Sequence, residues 1–300
     1  MELKNQKAAI PLVLLAGLLW SFGPYVVRNI DAASTVPWQY LFTRGLVIFL
    51  LLNFFLYLEE GKNFYKNYLK IGLSGAIGSV GLAIAMISFI WSITNTTAAI
   101  TLLCLAAMPF ITALLGFLFL NEKISLGVWI SIIIAAIGII IMAISNDNTN
   151  SIGGLIFGLA AALGFSIFSV TLRWRKETPK FTTVAFAGFF CFVFATIMIL
   201  LKNQVFFSTS YNSSLFSLHG FLVCSGLILY SIGSKAIPAA ELTLLSLTEV
   251  VGGIFWVWLP ILGINEVPST NTIIGGFFLF VSLFYYSLIM RWNKRYIALN

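Results

Sequence analysis

Charge is what this 300-residue sequence has least of: Asp, Glu, Lys and Arg together supply 9% of it, where a soluble domain carries about 25%. With 60% hydrophobic residues and a mean hydropathy of +1.00, that scarcity excludes an ordinary water-soluble fold and points to an integral membrane protein. Acids are scarcer than bases, 10 against 17. The surplus brings no basic patch with interleaved aromatics and no nucleic-acid-binding motif, so nucleic acid is excluded as a partner and membrane topology accounts for the sign. There is one histidine, His219, and there are three cysteines, Cys104, Cys191 and Cys224, all in apolar runs without a CxxC pair. A metal site is therefore excluded, no cofactor is implied, and nothing suggests a disulfide; the cysteines read as small core residues. An Asp pair, a Ser with a His, a metal trio and a nucleotide motif are all missing. That argues against an enzyme and against an ATP-driven pump. The opening "MELKNQK" lacks a small-residue cleavage site, so the first apolar run reads as an uncleaved helix.

What the sequence has instead is long apolar runs. A helix needs about 20 such residues to cross the hydrocarbon of a bilayer. That ruler places ten spans, at Ala8–Val27, Val36–Leu58, Leu69–Ile93, Thr97–Leu120, Ser125–Ser145, Ile152–Leu172, Phe181–Leu201, Leu218–Ala236, Ala239–Leu262 and Asn271–Met290. The stretch 71–121 carries no charge and is too long for one crossing, so "TNTT" is its internal turn; Pro238 and "GINEVPST" mark later breaks. With the N-terminus inside, the cytoplasmic segments hold Lys4, Lys7, Lys62, Lys66, Lys70, Lys123, Arg173, Arg175, Lys176, Lys180, Lys235, Arg291, Lys294 and Arg295. The outer segments hold only Arg28 and Lys202. The bias predicts both termini cytoplasmic and a multi-pass protein of the plasma (bacterial inner) membrane.

The chain also matches itself weakly at a spacing of about 145 residues, the kind of internal repeat that organises many transporters. "AGLLWSFGPYVVR" aligns with "AALGFSIFSVTLR", pairing Ser21 with Ser166 and Arg28 with Arg173. "TTAAITLLCLAAMPF" aligns with "IPAAELTLLSLTEVV", and "NEKISLGVWI" with "NEVPSTNTII". Five spans per copy is an odd number, so the second copy enters the membrane from the opposite side. The expected fold is all-α, ten transmembrane helices as two inverted five-helix repeats, residues 1–146 and 147–300.

These segments, with "AAMPFITALLGFLFLNEKIS" and "LSLTEVVGGIFWVWLPILGINEVPSTNTIIGG", resemble the EamA family of the drug/metabolite transporter superfamily over essentially the whole chain. The resemblance implies a secondary transporter of small metabolites, often an exporter of amino acids or related compounds. It also implies a central cavity enclosed by the first four helices of each half, with the fifth and tenth outside. One departure is Val250, where many relatives carry the proline that Pro109 supplies here, and it predicts different flexibility in the two halves.

Two charges, Arg44 and Glu249, fall deep inside spans, where each costs at least about 2.5 to 3.5 kcal/mol unless it faces protein or water. Arg44 and Glu249 lie at similar depths, which leaves an ion pair or a water-bridged pair open. Met108 and Ile100 occupy the positions aligned with Glu249 and Glu241, so packing of the repeat does not require an acid there. Glu249 is the candidate to face the cavity and bind a cationic group of the substrate, to titrate as a coupling site, or to hold Arg44. Glu241 lies in the first turn of its helix, where a carboxylate favours the positive dipole end; a cap is its first reading and a gate its second. Trp20, Trp91, Tyr230 and Trp256 stand at intermediate depth and are candidates to line the site, whereas Trp292 and Tyr296 read as interfacial anchors. Gly72, Gly75, Gly78 and Gly81 suit close helix packing or a moving interface. Pro24 and Pro109 interrupt helix hydrogen bonding and are candidate bends. His219 falls near the outer interface and reads as neither ligand nor proton relay.

The function these features support is alternating-access transport, with export the direction the resemblance implies, of a small polar or amphipathic metabolite, driven by a coupling proton or an exchanged solute. A scaffold or receptor without transport is the alternative. A sugar-phosphate or nucleotide-sugar exchanger needs several cations at depth, and only Arg44 is there. The partners implied are a small-molecule substrate and the lipid bilayer, and a homodimer is compatible with them.

Overall fold

The computed structural model describes residues 6–121, 125–144, 151–175 and 177–299, with side chains from 7 to 289. Lys4, Glu122, Lys123, Lys176 and the 146/147 boundary lie outside those residues, and so do the side chains of Arg291, Trp292, Lys294, Arg295 and Tyr296. Ten helices are long and apolar enough to cross a membrane, and the protein is a multi-pass membrane protein. The helical solution follows from the solvent: in hydrocarbon each backbone N–H and C=O must find its partner within the segment.

The spans run Gln6–Arg28, Pro37–Glu60, Gly72–Asn95, a broken fourth made of Ala98–Leu105 and Met108–Leu120, then Leu126–Ala143, Ile152–Trp174, Lys180–Leu201 and Ser210–Gly233. A broken ninth of Ala239–Ser246 and Thr248–Trp258 follows, and Thr270–Leu299 is the tenth. The largest correction to an expected start is span 8, which begins at Ser210 rather than Leu218. Its polar start "SYNSSLFS" is nevertheless helical. Thr209 accepts from Asn212 N at 3.2 Å, and Ser214 and Ser217 donate to the carbonyls of Ser210 and Ser213 at 2.8 and 2.9 Å. Hydroxyls that bond back to their own helix sit at low cost in apolar surroundings. Span 9 ends at Trp258 instead of Leu262, its last residues forming the 3-10 turn Pro260–Leu262.

The spans pack so that exchanging span 1 with 6, 2 with 7, 3 with 8, 4 with 9 and 5 with 10 maps the most extensive contacts onto themselves. Span 3 packs on 6 as span 8 packs on 1, span 1 on 9 as span 6 on 4, and span 3 on 7 as span 8 on 2. The pairs 2–7, 4–9 and 5–10 are their own counterparts. Asn121 and Asn265, aligned in the two copies, both take the left-handed conformation, at φ 55 and 47. Asn tolerates that conformation better than most residues, which gives the repeated Asn of the two Asn-Glu segments a backbone reason.

Small residues set the closest approaches. A Cβ on Gly81 would stand 2.9 Å from the carbonyl oxygen of Gly164, and Gly75 and Gly78 rest against Thr183 of span 7, so three of the four glycines in this run are packing positions. Gly72 is a correction. It has φ +60 with nothing near it, and it opens span 3 in a conformation that side chains disfavour rather than seating a neighbour. Pro24 is another: span 1 runs unbroken through both Pro11 and Pro24, and Pro24 packs where a Cβ of Gly253 would meet it. Spans 5 and 10 pair with each other, and Ser282 donates to the Ser131 carbonyl at 2.6 Å.

Candidate functional site

The two broken spans cross each other, the first segment of each packing on the second segment of the other. Both breaks fall at aligned residues, Ala106–Ala107 and Leu247, and both are closed by i to i−3 hydrogen bonds. In the first copy Ala107 N bonds Cys104 O and Phe110 N bonds Ala107 O, each at 3.1 Å. In the second copy Leu247 N bonds Leu244 O and Val250 N bonds Leu247 O, at 3.3 and 3.0 Å. The expected difference in flexibility between Pro109 and Val250 therefore does not appear as a difference in helix path. Pro109 sits at the second position of its segment, where its missing N–H matters least. The second copy reaches the same bend with hydroxyls. Thr243 donates to Ala240 O, Ser246 to Thr243 O and Thr248 to Leu245 O, at 3.0, 2.8 and 3.3 Å. Such back-bonding competes with the helix ladder and bends it.

Beside this crossing is a small cavity of about 70 Å³, below the roughly 300 to 1,000 Å³ typical of small-molecule sites, so a metabolite enters only as the walls part. Spans 1, 2, 3, 4, 6, 8 and 9 contribute to its wall, while spans 5 and 10 stand outside it. Span 7, expected among the enclosing helices, lines nothing here. It packs behind span 2, where a Cβ on Gly188 would approach the Gly45 carbonyl oxygen to 3.0 Å. Most of the wall is apolar: Leu82, Met86 and Phe89 of span 3, Leu105 and Met108 of span 4, Phe165 of span 6 and Leu227 of span 8. Three polar side chains interrupt it, namely Arg44, His219 and Glu249.

Glu249 is half-buried, lies in the first turn of the segment Thr248–Trp258 and faces the cavity. The break thus presents the acid at the N-terminal end of a half-helix, where free N–H groups favour negative charge. Its aligned residue Met108 lines the same cavity from the first copy. The serines aligned between the copies differ as well. Ser166 donates across to the Met108 carbonyl at 3.1 Å, whereas Ser21 donates to Leu18 O at 2.7 Å and accepts from Trp256 Nε1 at 3.0 Å.

Arg44 is 2% exposed. Its Nη2 donates to the Met86 carbonyl at 2.9 Å, and its guanidinium lies 5.6 Å from the centroid of the Tyr40 ring. Among the described residues its Nε has no hydrogen-bond partner. Arg44 and Glu249 share the cavity, and no ion pair joins them among the described residues. The ion pair left open by their depths is therefore not formed.

Trp20 is a wall residue. Its Nε1 donates to Val223 O at 3.2 Å, and Gly226 provides the seat, since a Cβ there would collide with the indole. Tyr230, Trp91 and Trp256 are not on the wall. Tyr230 is buried behind Trp20 and Phe165, its hydroxyl 2.7 Å from Ser169 Oγ. Trp91 meets Trp38 in a tilted contact at 5.2 Å between centroids, and Trp256 stacks on Phe22 at 5.0 Å. Sequence depth places these rings at the right level but not on the right face. Glu241 lies in the first turn of Ala239–Ser246, off the cavity wall.

The residue that sequence reasoning missed is His219. It is 2% exposed and lines the cavity, its Nδ1 hydrogen-bonded to the Tyr40 hydroxyl and its ring stacked on Tyr40. Span 8 starts two turns earlier than expected, so His219 lies roughly 13 Å along the helix instead of at its end. The signal was available in Ser210 to Ser217, had those hydroxyls been counted as helical. Arg28 is the other surprise. Read from the sequence only as one of two basic residues in the outer segments, it is bound to Glu266, Nε to Oε2 at 2.7 Å.

Comparison with known proteins gives two findings. The model of the EamA-like transporter family matches residues 7–144, the first half of the chain. A solved crystal structure is similar in fold, with TM-score 0.68 at 15% identity over 96% of this chain and 99% of that one. Among curated proteins no relative matches.

Proposed function

We propose, from the match of the EamA-like transporter family model to residues 7–144, that the chain is a transporter of that family, a secondary transporter carrying a small zwitterionic metabolite, an amino acid or a related compound, by alternating access. The family's members are transporters rather than enzymes. The observation that carries the substrate class is the unpaired meeting of Arg44 and Glu249 in one largely apolar cavity. A guanidinium with an N–H lacking a protein partner suits a carboxylate. A carboxylate at a half-helix N-terminus, without a protein counter-ion, suits an ammonium. Between them Trp20, Phe89 and Phe165 offer apolar surface for a side chain. A phosphate-bearing solute fits poorly, because the described wall holds a single arginine and no lysine.

In this mechanism the two inverted halves exchange conformations around one site. The breaks of spans 4 and 9, which already replace helical bonds by 3-10 turns, are where the bend changes. Glu249 binds the substrate ammonium or a coupling proton, so that occupancy sets which arrangement is favoured. Export across the plasma membrane, with both termini cytoplasmic, is the direction and location we assign from the distribution of Lys and Arg and from the family. The test is flux of labelled amino acids into sealed liposomes containing the purified protein. Saturable uptake that one amino acid inhibits supports the reading. A protein that binds ligands but moves none across the bilayer is a receptor or scaffold instead.

A further inference from the structure

Outside the cavity, the Arg28–Glu266 pair is a densely hydrogen-bonded contact, and it spans both halves. Arg28 closes span 1, while Glu266 lies in the loop before span 10. Each nitrogen of the guanidinium donates: Nε to Glu266 Oε2 at 2.7 Å, Nη1 to the Ile93 carbonyl at 2.6 Å and Nη2 to the Thr96 carbonyl at 2.8 Å. The second carboxylate oxygen accepts from Ala98 N at 2.6 Å and so caps the first segment of span 4. One ion pair thereby fastens the end of span 1, the junction of spans 3 and 4, and the loop before span 10.

Its location follows from helix geometry. Trp20, Phe89 and Leu105 line the cavity. Arg28, Ile93 and Ala98 are the residues of the same three spans at one end of the bundle, roughly 6 to 12 Å further along at about 1.5 Å per residue. The pair therefore crosses the end of the cavity at which span 1 finishes. It is neither sealed nor loose, with the two side chains 22% and 18% exposed.

We propose that the Arg28–Glu266 pair is the latch closing this end of the cavity, and that it parts whenever the cavity opens there. The inference rests on the alternating-access reading only for calling that opening part of a transport cycle. Glu266 comes from the second half, whereas Arg28, the carbonyls of Ile93 and Thr96 and the Ala98 N–H come from the first, so parting the halves breaks both bonds to the carboxylate together while Arg28 keeps its two carbonyls. A gate between two rigid halves needs such a contact at their boundary. Because the partners are partly hydrated, parting returns them to water and does not strand a charge in hydrocarbon.

The test needs no substrate. Val223 lines the cavity and is partly exposed, so Val223→Cys reports access to it, and the native chain serves as a blank because Cys104, Cys191 and Cys224 are buried. Membrane-impermeant maleimide is added from one face or the other of oriented vesicles; Ala33→Cys, in the loop next to the latch, identifies the face where the latch lies. Glu266→Gln keeps the shape and removes the charge, and Arg28→Lys keeps the charge and removes the fork. Either change is expected to raise labelling of the thiol introduced by Val223→Cys about five- to tenfold from the latch face, less than the full worth of a buried charge-assisted contact because the pair is partly hydrated. Labelling from the opposite face should hold or fall. Unchanged labelling from the latch face, or an equal rise from both faces, would overturn the proposal. Misfolding is recognised separately, since either substitution without Val223→Cys would then expose the native cysteines. Failure of the latch would leave solute flux in liposomes intact, so the two proposals fail independently.

Discussion

Span 4 and span 9 bend at aligned residues but by different chemistry, and they present different side chains at the bend. The first copy uses Pro109 and shows Met108 to the cavity. The second uses Thr243, Ser246 and Thr248 and shows Glu249. A feature reached twice by separate means belongs to the fold, because each half must break there for the spans to cross. A feature present in one copy alone belongs to the chemistry of this protein. The same contrast sets Ser166, which ties the Met108 carbonyl to span 6, against Ser21, which meets span 9 through the Trp256 indole while Thr248 reaches the Leu14 carbonyl of span 1 at 3.3 Å.

Exchanging the two bends' side chains should produce the largest effect. Glu249→Gln is expected to cut uptake about a hundredfold, the scale of a lost charge-assisted contact, whereas Met108→Leu keeps the wall apolar and changes uptake less than about threefold. Initial rates in liposomes, normalised to protein content, measure both. Arg44→Gln should fall between, about thirtyfold, with the loss in apparent affinity for the carboxylate rather than in ligand-independent stability.

A smaller effect separates the two ways of bending. Pro109→Ala restores a backbone N–H and lets span 4 run straighter, and Thr248→Val removes one hydroxyl from the bend of span 9. Each should slow turnover about three- to tenfold while leaving ligand-induced stabilisation nearly native. A loss of binding instead would make the bends part of the site and not of the motion. Smallest is the Tyr40–His219 bond. Tyr40→Phe and His219→Gln should each weaken apparent affinity about two- to fivefold, and the double variant no more than either, because both act through the one contact that steadies the ring beneath Arg44.

Much of the fold could be read directly, because the bilayer leaves little choice: uncharged runs of about 20 residues, cut at "TNTT", Pro238 and "GINEVPST", yield the ten helices. Span 8 was misjudged because hydropathy counts a serine as polar whether or not its hydroxyl is satisfied at home, and that error concealed His219. That Arg44 and Glu249 face the cavity was legible, since a charge at mid-membrane must face protein or water, and both line it. Which aromatics join them was not legible. Trp20, Trp91, Tyr230 and Trp256 share a depth, and rotation about each helix axis decides among them. The role of Glu266 as a cap on span 4 was invisible because it joins residues far apart in sequence.

The central claim is that the acid unique to the second copy and the arginine of the first hold opposite ends of one zwitterion. The most direct measurement is thermal stabilisation of the purified protein by an amino acid that it transports, compared with the amide and the deaminated acid of the same compound. The native chain should respond strongly to the zwitterion and weakly to either single-charge analogue. Glu249→Gln should respond to the deaminated acid as well as to the zwitterion, and Arg44→Gln to the amide. Equal stabilisation of the native chain by all three compounds, unaltered in both variants, would contradict it.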